Sequence, residues 1–290
     1  MKTIAHLFIT IAVVVSMSTI SFAQEEKNQS PPYIVITQAH WNWDNVDGDQ
    51  ERWLELEQLW HKNVTEKNEY IMSSGVYHHY YTEDNSEVNF VTVYPTWEAI
   101  ELAGQRSDEL EKAAWPDEAE RKAYNKERNS YYTTEHSDEI YVGLPFIKPV
   151  MDDAGESLVV LVRDRHLAFP EDGTNEEIAE LMKEFHSNVT HKNPYLLGFY
   201  MHRHAWGSDG RDVQLVFVLK SMADIEKMQD EQGKLIEAYW PDEAKRKEFF
   251  KKMNKYLTPW HGDRIYQTEP SLGKSFTPPN EEELMDADEK

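Results

Sequence analysis

The chain has no cysteine. It therefore has no disulfide framework, no thiolate nucleophile and no cysteine to lipidate. A fold without disulfides relies on its hydrophobic core, which 290 residues can supply. Basic residues are scarce: 30 Lys and Arg stand against 53 Asp and Glu, a formal net charge of −23. That balance argues against a nucleic-acid or anionic-membrane partner, because both reward basic patches. There is no Gly-rich phosphate loop, no serine-nucleophile elbow and no HExxH pair. Nucleotide chemistry, serine hydrolysis and metalloprotease activity lose their usual signatures with them.

Only the first residues hold a long apolar run. Lys2 precedes "IAHLFITIAVVVSM" and then "STISFAQ". A short charged start, an apolar core and small residues before Gln24 read as a signal peptide over 1–23, cleaved near Ala23. The expectation is an exported protein, periplasmic or secreted, that leaves the membrane once cleaved. An uncleaved anchor is the alternative, on a run short for a span. Residues 24–32 read as a flexible lead-in, and the acidic stretch 271–290 as a disordered tail.

What is present is a duplication. "HKNVTEKNEY" from His61 meets "HSNVTHKNPY" from His186, "AAWPDEAERKAY" meets "AYWPDEAKRKEF", and "HSDEIYVGLP" meets "HGDRIYQTEP", all at one offset of 125 residues. No gap is needed from Trp53 to Pro145, and roughly a third of those positions are identical. Three matches in register mark two copies of one domain-sized unit. The units are placed at 33–145 and 158–270, with a linker over 146–157 rich in breakers.

Each copy reads as strand, helix, two strands, interrupted helix, strand. Trp53, Leu56, Trp60 and Val64 make one apolar helix stripe; Ile178, Leu181, Phe185 and Val189 make the other. Thr174 with Glu177 forms a capping box, and Asp47 with Gln50 a looser one. "WPDEA" reads as a helix entrance with proline at the first helical position. The order βαββαβ is the ferredoxin-like pattern, an α+β class. The strands are apolar on both faces, as in Val159–Val162, so both faces of each sheet want cover. Helices can cover one face and the other copy's sheet the second.

On these grounds the chain resembles the dimeric α/β-barrel superfamily, in a tandem form over 33–145 and 158–270. The resemblance implies two ferredoxin-like repeats pairing their sheets as an intramolecular barrel, hence a monomer with internally paired repeats. That superfamily includes cofactor-free monooxygenases, haem-degrading enzymes, chlorite-dismutase-like haem proteins and stress-response proteins. No catalytic set from any of them maps onto this chain, so the cofactor stays unknown.

Alternation puts Tyr77, His79 and Tyr81 on one strand face, and His202, His204 and Trp206 on the equivalent face. These are the ligand-pocket candidates. Imidazole and phenol groups there could hold an anionic or aromatic ligand, move a proton or ligate haem; packed histidines with ordinary hydrogen bonds are the alternative. Tyr77 stands where the second copy has His202, so no metal set is assigned. The rim candidates are His61, His186, Asn63, Asn188, His136 and His261. The first four could equally stop a helix, and the His-x-Asp pairs at His136 and His261 could equally make a turn. Three functions follow: an exported barrel binding a small hydrophobic or aromatic ligand, an oxidoreductase of cofactor-free monooxygenase or haem type, or a filled structural barrel.

Overall fold

The computed structural model describes residues 31–46, 49–150 and 155–275. The expected signal peptide, most of the lead-in, Asp47 and residues 276–290 lie outside the described residues. The first half runs β1 (Tyr33–Trp41), α1 (Trp43–Val46), α2 (Gln50–Trp60), β2 (Ser73–Tyr81), β3 (Glu87–Tyr94), α3 (Trp97–Ala114), α4 (Glu118–Ser130), β4 (Tyr132–Gly143). The second runs β5 (Val159–Leu167), α5 (Asn175–Phe185), β6 (Gly198–Trp206), β7 (Asp212–Leu219), α6 (Ala223–Tyr239), α7 (Glu243–Asn254), β8 (Leu257–Thr268).

The eight strands close into one antiparallel barrel, in the order β1-β3-β2-β8-β5-β7-β6-β4. Each half contributes the same four-strand order, and the halves join through β2–β8 and β4–β6. Helices pack on the outside. Trp53 and Leu56 of α2 are buried against Val76 and Val88 in one half. Met228 of α6 is buried with Leu161, Phe199 and Val213 in the other.

Capping explains the broken helices, with two corrections to the sequence reading. Pro116 lies before the cap rather than at the first helical position. Asp117 is the cap, accepting from the N–H groups of Ala119 and Glu120, both at 2.9 Å. Asp242 does the same for α7. Arg121 then donates to the Trp115 carbonyl, and Arg246 to that of Trp240, so each new helix closes the end of the last. The second correction concerns α2 and α5. Asp49, not Asp47, caps α2. Thr174 caps α5, but the Glu177 side chain turns to Lys255 and Tyr256 instead of back to the cap, so only half of the box forms.

The chain beyond each last strand crosses to the opposite half. Lys148 pairs with Phe199, and its Nζ donates to the Asn193 carbonyl at 2.8 Å. Lys274 pairs with Ser74 and donates to the carbonyls of Thr65 and Asn68. Leu272 is buried in the first half's core. Residues 271–275, at the start expected for the acidic tail, are thus held by a buried leucine and a backbone bridge.

The helix layers differ. In the first half Glu57 is 3% exposed and takes two charge-assisted bonds of 2.9 Å from Arg128, with a third from the Tyr132 hydroxyl. Arg128 also lies 4.4 Å above the Trp60 ring. At the matching positions the second half has Met182 and Met253. A buried ion pair is dear to break and often cheap to replace whole. Arg128→Met alone is expected to lose about 3–5 kcal/mol in urea unfolding by stranding the carboxylate. Glu57→Met with Arg128→Met, which copies the other half, is expected to recover most of it. A double variant as unstable as the single one would show that the pair itself, not the stranded charge, holds this layer.

Candidate binding site inside the barrel

Strand alternation gives the barrel an inner face, and its two ends differ. At the end where β1 and β5 begin, the inner face is apolar. Ile34 and Ile36 pair with Val93 and Val91, and Val160 and Val162 with Val218 and Val216. Val160, Val162, Val216 and Tyr266 form a buried cluster that takes in Tyr77 from the first half and Tyr200 from the second. At the other end the same strands turn polar. Gln38 and His40 oppose Asn89 and Glu87; Asp164 and His166 oppose Gln214 and Asp212. Tyr141 pairs with His204 and Tyr266 with His79 across the two joins.

Four of the sequence's pocket candidates lie inside: Tyr77, His79, His202 and His204. The other two leave the face. A β-bulge in each join puts Tyr81 opposite Ile265 and Trp206 opposite Ile140, and both are exposed, at 61% and 69%. The rim candidates do not gather at this mouth. His61 and His186 open single π-helical turns at the ends of α2 and α5, in the helix layer. His61 is buried 3.4 Å from Glu66, and His186 Nε2 lies 3.0 Å from the Ile147 carbonyl. Asn63 and Asn188 donate to the helix carbonyls of Leu59 and Glu184. His136 is exposed, 3.5 Å from Asp138, and that aspartate accepts from Thr37. His261 opposes Arg165 on the outer face, and Asp263 is bound by Arg163.

Burial sets the chemistry of the interior. Tyr77 and His202 are half-buried. Both lie on the inner face, opposite Asn89 and Gln214 respectively. Burial, with Tyr200 alongside, pushes the Tyr77 phenol up to about 12. Burial alone pushes the His202 imidazole down to about 4, so it is neutral at pH 7. The Nδ1 atoms of His202 and His204 are buried without a hydrogen-bond partner. His79 differs, with Nδ1 2.7 Å from the Thr82 hydroxyl.

Around them runs a network that sequence reading missed. Arg264 donates to Asp164 at 2.6 Å, Gln214 donates to the same carboxylate, and the Tyr266 hydroxyl donates to Glu87 at 3.1 Å. Glu139 accepts from the Ser208 N–H. His166 Nε2 lies 3.1 Å from Asp212 and 3.8 Å from Asp209, and its ring stacks on Trp260 at 3.9 Å. Burial, then the neighbouring Asp209, pushes Asp212 above the usual carboxylate range. The signal was available: β5 lies 126 residues after β1, not 125, and that shift aligns His40 with His166.

Two cofactor fits can be tested on these residues. His166, Asp209 and Asp212 could offer a metal three ligand atoms within 4.8 Å of one another. Arg211, however, already holds both Asp209 oxygens, which neutralises one of the two carboxylates. A haem would need an inward imidazole for its iron, and His202 and His204, with Nδ1 atoms that lack a partner, are the residues that would offer one.

The depressed His202 pKa makes a pH signature. Its folded value lies below the unfolded one of about 6.5, so its neutral form contributes stability above that pH. That stability is lost as pH falls toward 4, by at most about 3 kcal/mol. In urea melts across pH 4–7, His202→Gln is expected to flatten the fall relative to the parent. Parallel curves would mean that His202 is not held neutral by the fold.

No protein-family model matches the chain, and no curated protein matches it either. Solved structures do. One is described as a "putative monooxygenase" from Lactobacillus acidophilus NCFM: TM-score 0.52, 8% identity, covering 82% of this chain and 94% of that one. Another, from Fusobacterium nucleatum and described in the same words, has a TM-score of 0.51 at 10% identity, covering 82% of this chain and 92% of that one. At such identities the likeness concerns the fold. With the closed eight-stranded sheet and its outer helices, it establishes that this chain has the dimeric α/β-barrel fold of the ferredoxin-like type.

Proposed function

We propose that the barrel interior binds one small aromatic molecule bearing a hydroxyl or carbonyl group. The observation that carries this reading is the barrel-facing, neutral His202, whose Nδ1 is buried without a hydrogen-bond partner. Buried polar groups normally find partners, and a bound ligand supplies one. The valine end receives the ring. His202 accepts a hydrogen bond from a ligand hydroxyl, and Tyr77, which stays protonated, donates to a carbonyl. A histidine held near 4 is a better acceptor than base, so binding ranks ahead of catalysis.

The second reading is an oxidoreductase of cofactor-free monooxygenase type, and the two monooxygenase-described neighbours favour it. There the ligand itself supplies the electrons: a hydroquinone and O2 give a hydroxyquinone and water, one oxygen atom entering the ring and the other leaving as water. Three expectations belong with this proposal. The halves are tandem ferredoxin-like units paired within one chain, the protein is a monomer, and the mature form is exported. Among the described residues no helix is long and apolar enough to cross a membrane.

Calorimetric titration with 4-methylphenol is expected to show one site per chain. Replacing His202 and His204 together by Phe, which fills the space, is expected to abolish that site while thermal unfolding stays cooperative. Undiminished binding in that variant would sink the interior assignment. Oxygen uptake with a hydroquinone in metal-free buffer separates the two readings: uptake lost in the same variant makes the protein an oxidoreductase, whereas binding without uptake makes it a binder.

A further inference from the structure

We infer that the barrel selects a cationic ligand, an aromatic carrying a protonated amine, and that Asp212 anchors the ammonium group. This rests on the interior-pocket reading above and adds the charge of what enters. At the polar end four carboxylates line the inner face, those of Glu87, Glu139, Asp164 and Asp212, and one guanidinium, that of Arg264, faces them. The partners are unequal. Asp164 has Arg264 and Gln214, Glu87 has the Tyr266 hydroxyl, and Glu139 has the Ser208 N–H. Asp209, at the rim, is clamped by Arg211. Among the described residues Asp212 has His166 as its ion-pair partner, 3.1 Å away, with Asp209 beyond it and the Arg211 charge, bound to Asp209, nearby. An anion brought here meets four carboxylates against one guanidinium, and a cation relieves that excess.

A second observation points to a ligand at the same spot. β6 pairs with β7 through His202–Gln214 and Arg203–Val213, and that register carried one residue further would set His204 opposite Asp212. His204 is the histidine whose Nδ1 is buried without a partner. On its other side it pairs with Tyr141. The approach is aromatic. Tyr81, Phe169, Trp206 and Trp260, at this end of the barrel, are 61%, 76%, 69% and 49% exposed. Rings at a mouth with carboxylates behind them attract a cation by its charge and through the ring faces.

Three probes with one ring test this: tyramine (cationic), 4-methylphenol (neutral) and 4-hydroxyphenylacetate (anionic), titrated calorimetrically at pH 7. Tyramine is expected to bind about tenfold or more tighter than 4-methylphenol, and 4-hydroxyphenylacetate weakest of the three. Asp212→Asn is expected to remove the tyramine advantage and leave 4-methylphenol unchanged; Asp212→Glu is expected to keep it. Equal or reversed affinities in the parent protein overturn the inference while leaving the pocket standing, and need no variant to fold. An advantage that survives Asp212→Asn overturns the anchor. If none of the three binds, the pocket reading fails and takes this inference with it.

Discussion

A sheet closed on itself has an inside, and groups on that inside must be satisfied without bulk water. This constraint orders the rest of the molecule. One end of the barrel meets it with valine and isoleucine. The other meets it with paired carboxylates, amides, phenols and a guanidinium. Arg264–Asp164 and Tyr266–Glu87 are bonds of this kind, each tying groups from different strands. The second spans the two halves, so the polar layer helps to hold them in register. His202 and His204 are left without a partner at Nδ1, and Arg264 is left without one at Nε.

The two halves share a frame, and their differences decide where chemistry can sit. The halves share strand order, helix breaks, arginine-closed helix ends and crossing arms. They differ where a side chain changed character. Glu57 and Arg128 bury a charge pair in one helix layer, where Met182 and Met253 pack as hydrocarbon in the other. Inside the barrel Tyr77 stands where the second half has His202. The inner face is thus built twice but is not symmetric, and its unpartnered imidazoles both lie on β6.

Much of the fold was legible because its signals are local or repeated. The offset of 125, the apolar stripe of α2 and the two-sided strands required only periodicity. Barrel closure followed from asking what covers the second face of each sheet. The site was less legible, for two physical reasons. Alternation is trusted along a strand until a bulge breaks it, and bulges beyond His79 and at His204 took Tyr81 and Trp206 off the inner face. The charged network joins residues about a hundred positions apart, such as Asp164 with Arg264, and no spacing rule announces such a pair. His136 and His261 misled for the converse reason. A histidine two residues from an aspartate on a strand shares its face whether or not that face is inside.

The asymmetry of the mouth comes down to one methylene. Glu87 and Asp212 occupy equivalent positions, each opposite a histidine at the end of the half's first strand. Glutamate is long enough to reach across to the Tyr266 hydroxyl, and there its charge is shared with a donor from the other half. Aspartate is shorter and stays at the edge, against His166 and close to Asp209. One half of the mouth has thereby spent its carboxylate on closing the barrel, and the other has kept one facing the entrance. A ligand that completes this interior should approach from the second half, along β6 and β7, where both the unpartnered imidazoles and the less compensated carboxylate lie.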